Sequence, residues 1–80
     1  MPMRLKLSVH AQTRMAEREF QIEHVRLAIR EPDLAENTFE GRVKVTKELE
    51  DGRTIIVLYY KEDFRGTNDY FIITAYYKIL

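Results

Sequence analysis

Pro32 divides this chain into two hydrophobic periods, and that change constrains the fold more than any other feature. Before it, Ile22, Val25, Ala28 and Ile29 recur at helical spacing and define one apolar stripe. Proline disfavours helical geometry at the residue before it, so this helix is predicted to end near Arg30. Ser8 can cap an earlier helix through its hydroxyl. That helix would run from about Val9 to Glu19, with no Gly or Pro inside it, and Phe20 and Gln21 leave only a short connection.

After Pro32 the period becomes two. From Arg42 to Leu49, Val43, Val45 and Leu49 share one face, while Arg42, Lys44, Thr46 and Glu48 share the other. Asp51-Gly52 follows, a strong hairpin signal because type I′ turns need positive φ. Thr54 to Tyr60 is a dense β-branched and aromatic run, read as a buried strand. Lys61 to Asp69 is polar, carries Gly66 and reads as a loop, and Tyr70 to Tyr77 reads as the last strand. Leu34 to Phe39 adds a weaker candidate edge strand. The expected fold is therefore α+β: two N-terminal helices packed on a three- to four-stranded antiparallel sheet, an α-α-β-β-β meander. Eighty residues are expected to form a single domain, 1–80.

Without cysteine, no disulfide and no thiolate zinc site can hold this domain, and its 45% apolar content must supply the core. His10 and His24 are fourteen residues apart on different helices, and no ligand-spaced cluster suggests a metal; no cofactor is expected. Arg4 and Lys6 alternate with Leu5 and Leu7, and no apolar run of signal-peptide or membrane-spanning length follows. A soluble, cytoplasmic protein is expected. Net charge is zero but uneven: six basic and three acidic residues to Arg30, then three basic and seven acidic from Glu31 to Gly52. Nucleic-acid binders usually carry a basic excess, so any such footprint here must be local.

The first helix carries the most chemistry. His10, Arg14 and Arg18 stand four residues apart, within about 80° of one another and along roughly 12 Å of axis. Ala11 and Met15 flank them on one side and Val9, Ala16 and Phe20 on the other. A neutral imidazole among cations could serve as a general base beside a phosphate, which arginine binds bidentately. Glu17 and Glu19 are also ordinary partners for the arginines, so the same stripe fits a solvated helix face.

His10-Ala11, Arg14-Met15 and Glu17-Arg18, followed by an apolar residue at Phe20 or Ile22, resemble the opening of a bacterial family catalogued as domain of unknown function 4258. The second helix, Pro32, the strand–Asp-Gly–strand hairpin and Ile73-Thr74-Ala75-Tyr76 resemble it as well, from about Ser8 to Tyr76. The resemblance implies the toxin-like fold of RelE, barnase, colicin D and EndoU-type ribonucleases. It nominates His10 as acid or base, Arg14 and Arg18 as phosphate or orientation residues, and Thr74 and Tyr76 as polar residues of the last strand. This chain departs from the family at Glu19, where glycine is common, and in its neutral charge.

Strand alternation groups Tyr70, Ile72, Thr74 and Tyr76 on one face and Phe71, Ile73, Ala75 and Tyr77 on the other. The Phe71 face is the more apolar and is expected to meet the helices, leaving the Thr74 face open for stacking on unpaired bases. Arg42 and Lys44, on the polar face of the hairpin, either add cation to that surface or protect a sheet face from aggregation. His24, opposite the apolar stripe, is expected to be exposed and without a role.

Two functions follow as expectations. The first is a metal-independent endoribonuclease of toxin–antitoxin type, cleaving RNA through 2′-hydroxyl attack, with RNA and an antitoxin protein as partners. The second is a non-catalytic protein-interaction module, a degenerate toxin fold or mobile-element accessory protein, with a homodimer among its arrangements. The neutral charge favours the second.

Overall fold

The computed structural model describes residues 4–62 and 69–78. Its elements are β1 (Arg4–Leu7), α1 (Val9–Ala16), α2 (Ile22–Arg30), β2 (Leu34–Asn37), a 3-10 turn at Phe39–Gly41, β3 (Val43–Glu48), β4 (Thr54–Glu62) and β5 (Asp69–Lys78). The strands form one five-stranded sheet in the order β1-β5-β4-β3-β2. Strands β2 to β5 make the expected antiparallel meander, while β1 pairs parallel to β5, from Arg4 opposite Asp69 to Leu7 opposite Ile72.

This corrects the α-α-β-β-β reading and its three- to four-stranded antiparallel sheet. The chain opens with a strand, and the sheet is mixed. The alternation of Arg4 and Lys6 with Leu5 and Leu7 had a strand's period, but its partner lies 65 residues away. Leu5 and Leu7 pack against the core, and Arg4 clamps the pair by donating to both carboxylate oxygens of buried Asp69, at 2.7 and 3.0 Å.

The helices behave locally as their residues dictate. Ser8 caps α1, its Oγ accepting from Ala11 N–H at 3.0 Å. Helix α2 ends at Arg30, ahead of Pro32. Both helices enter one core: Ala11, Val25, Ala28 and Ile29 meet Val45, Ile55, Val57, Ile72 and Ala75, closed by Phe20 from the interhelical connection. Two turns differ from expectation. The β3–β4 hairpin has a three-residue loop, Glu50-Asp51-Gly52, closed by Gly52 N–H to Leu49 O and Leu49 N–H to Arg53 O. Only Gly52 takes positive φ there, so it is a type I turn with a glycine bulge and not a type I′ turn. In the expected loop from Lys61 to Asp69, Lys61, Glu62 and Asp69 belong to strands, and 63–68, including Gly66, lie outside the described residues.

A bulge in β5 changes which residues face the helices. Leu58 pairs with Thr74 and Tyr59 with Ile72, so Ile73 is the extra residue. The period of two slips by one there. Tyr70 and Ile72 consequently join Ala75 and Tyr77 on the helix side, against the expectation that Phe71, Ile73, Ala75 and Tyr77 would share it. Phe71 instead stacks on Tyr60 on the open face, with ring centroids 5.0 Å apart.

The Asp69 clamp sets a pH dependence. Hydrogen bonding from Arg4 holds the Asp69 carboxyl below its ordinary range, the backbone N–H of Glu48 does so for Asp33, and the Arg53 side chain does so for Asp51. Carboxyls depressed in the folded state contribute stability that is complete above the unfolded value of about 4 and lost as pH falls through the folded value. The melting temperature should therefore decline as pH drops below about 4. Asp69→Asn should remove part of that decline in melting curves recorded across the acid range.

Candidate functional site

Helix α1 is shorter than the sequence suggests, and its ending shapes the site. Glu19 N–H bonds Arg14 O at 2.9 Å and Arg18 N–H bonds Met15 O at 3.0 Å, the pair of bonds that defines a Schellman ending. The left-handed position of that motif, where glycine is usual, is Arg18 at φ +62°. Glu19 is not at positive φ, so replacing the family's common glycine there meets no backbone conflict. The contact that usually closes this motif is hydrophobic; here Arg14 Nη1 pairs with Glu19 Oε2 at 3.2 Å.

Arg14 also donates from Nε to His10 Nε2 at 2.8 Å. Only an unprotonated ring nitrogen can accept, so this contact describes a neutral imidazole with its proton on Nδ1. His10 is exposed, and Arg18 is exposed with its guanidinium making no hydrogen bond or ion pair with a described residue. The expected cationic stripe is thus a Glu19–Arg14–His10 chain with Arg18 beyond the end of the helix. A left-handed conformation costs an L-residue about 1 kcal/mol or more. Arg18→Gly should accordingly raise unfolding stability by about 1 kcal/mol in urea titrations. That a cation occupies this position at such a cost points to a use for the side chain.

A second group lies on the open face of the sheet. Thr74 and Tyr76 line a groove of about 400 Å³ together with Arg42, Lys44, Ile56 and Leu58. The isoleucine and leucine form an apolar floor, and the two cations stand at its β3 end. Lys44 makes no ion pair with a described residue, and Arg42 reaches Glu40 only at 3.9 Å. Tyr76 is 39% exposed, an unusual amount for a tyrosine in a central segment of sheet.

The five nominated residues form two groups, not one cluster. His10, Arg14 and Arg18 belong to the helix side, Thr74 and Tyr76 to the open side. The bulge brings the two near each other at one margin. Ser8 N–H donates to Ile72 O at 3.0 Å and Ser8 Oγ–H to Ile73 O at 2.7 Å, so α1 starts at the bulge itself. Standard bond geometry and a two-residue helical step then bound the His10–Thr74 Cα separation at about 14 Å.

Sequence reasoning missed a third constellation. His24 is half-buried, with Nδ1 2.7 Å from the Tyr77 hydroxyl, which also accepts from Gln21 N–H at 3.0 Å. Arg53 lies over the Tyr77 ring at 4.2 Å and pairs with Asp51 at 2.6 Å. These contacts tie the start of α2 to the end of β5, and their sequence separations of more than 50 residues left no local signal. A larger groove of about 550 Å³ beside them bears Glu31, Glu48, Glu50 and Asp51, which disfavour a phosphate backbone. Among the described residues, no three His, Asp or Glu side chains are grouped to hold a metal ion, and no helix is long and apolar enough to cross a membrane.

Neither the curated proteins nor the solved structures yield a match to the chain. The family model described as domain of unknown function DUF4258 matches residues 7–77, from the end of β1 through the Tyr77 contact, and the chain belongs to that family.

Proposed function

We propose that the protein is a metal-independent endoribonuclease of toxin–antitoxin type. The observation that supports this reading is an exposed imidazole, that of His10, accepting from Arg14, with a groove lined by Arg42 and Lys44 on the other side of the sheet. In the proposed reaction His10 removes the proton of a 2′-hydroxyl, whose oxygen attacks the adjacent phosphorus. The bond from phosphorus to the 5′-oxygen breaks, that oxygen takes a proton from solvent water, and a 2′,3′-cyclic phosphate forms. Arg14 and Arg18 stabilise charge that builds on the phosphate. Lys44 and Arg42 hold the flanking backbone, Thr74 orients it, and the Tyr76 ring stacks on an unpaired base over the apolar floor. The partner that would restrain such an activity is an antitoxin protein.

One observation favours the alternative of a non-catalytic interaction module. All four residues of edge strand β2 are exposed, including Leu34 at 52%, which suits an added strand from a partner or a second copy.

Induced expression in bacteria separates the two. Growth arrest with decay of total RNA, absent on induction of His10→Ala at equal soluble level, is the expected result. Normal growth and intact RNA would leave the interaction module as the better account.

A further inference from the structure

The lone pair that Arg14 occupies is the one a base at Nε2 needs. Arginine keeps its proton in proteins, so its Nε–H cannot transfer to His10; it can only fill the acceptor position. While the 2.8 Å contact stands, Nε2 can neither take a proton from a substrate nor carry one. Arg14 is held from its far side by Glu19, through the residue pair that closes the end of α1. Both contacts sit on exposed surface, where solvent screening leaves ion pairs weak. A phosphate offers the guanidinium a bidentate, charge-assisted alternative that is stronger than either. Arg18, four residues further on, makes no hydrogen bond or ion pair with a described residue.

We propose that Arg14 is a stopper on His10 that phosphate releases. In the free protein Arg14 fills Nε2 and holds the ring in its Nδ1–H tautomer. A phosphate drawn between Arg14 and Arg18 pulls the guanidinium away and exposes Nε2. Glu19 sets the threshold by holding Arg14 in the closed arrangement, which makes it a positioning residue. The device deepens the ribonuclease reading and rests on it for the identity of the phosphate, an RNA backbone. Through it a substrate would switch on its own base.

The test is the tautomer of His10, read by long-range proton–nitrogen correlation on the 15N-labelled full chain well above neutral pH, with signals assigned through His10→Gln. The wild type should show a protonated Nδ1 and a bare Nε2, and Arg14→Met should show the ordinary mixture of both tautomers. Millimolar inorganic phosphate, at constant ionic strength, should move the wild-type signals toward those of Arg14→Met and leave that variant unchanged. Glu19→Gln should need less phosphate for the same shift. Wild-type signals already matching Arg14→Met without phosphate would overturn the stopper, and signals indifferent to phosphate would overturn its release. Because the readout needs no cleavage, a tautomer shift in a protein that leaves RNA intact would count against the ribonuclease reading alone.

Discussion

If the protein is the proposed ribonuclease, replacing His10 with alanine is expected to slow RNA cleavage about 10²–10⁴-fold, the usual worth of a positioned general acid or base. That corresponds to roughly 3–5 kcal/mol in the barrier. In that proposal the loss should fall on kcat, because His10 would act on the 2′-hydroxyl while the groove would do the holding. Tyr76→Ala should behave oppositely, raising KM through the loss of about 1–3 kcal/mol of base stacking. Stability offers the control. His10 is exposed and its side chain bonds only Arg14 among the described residues, so the alanine variant should melt within a few degrees of the parent. Equal cleavage by parent and variant would remove His10 from the mechanism, whatever the groove binds.

What could be read from the sequence was local. Ser8 as a cap, the end of α2 before Pro32, and the pairing of the two strands around Asp51-Gly52 all depend on residues within a turn of one another. They are found where expected. The same holds for His10 and Arg14, which meet because helical residues four apart are neighbours. What could not be read depended on distant partners or on a phase slip. Strand β1 exists because Arg4 finds Asp69 and Leu7 finds Ile72, and nothing near Arg4 announces either. Ile73 bulges without a glycine or proline to mark it, and one extra residue reverses the face of every residue before it. That slip packs Tyr70 against the core and leaves Phe71 on the open face. Thr74 and Tyr76 stayed on the open face because they follow the bulge. Arg18 shows a different blind spot: a left-handed position was assigned no sign in the sequence because an arginine fills it.

The residue between the helices should matter most for stability. Phe20 looked like part of a short connection, yet it is 2% exposed and among the largest fully buried side chains. Its ring, from the connection between α1 and α2, belongs to the same core cluster as Val25, Ile72 and Ala75. Phe20→Ala should cost about 3–5 kcal/mol, from lost transfer energy and the cavity left behind. A domain of this length has only about 4–12 kcal/mol to lose. At about 4–8 °C per kcal/mol, the fall in melting temperature should be the largest from any single truncation outside the sheet. Phe20→Leu keeps most of the volume and should cost far less, near 1.5 kcal/mol or below. Val9, apolar but 81% exposed at the start of α1, supplies the contrast: Val9→Ala should stay within about 0.5 kcal/mol. Urea unfolding of the three variants checks this order. If Phe20→Ala unfolded like Val9→Ala, the helices would not be seated on the sheet through that ring, and the course of α1 toward the bulge that brings His10 to the margin would have to be redrawn.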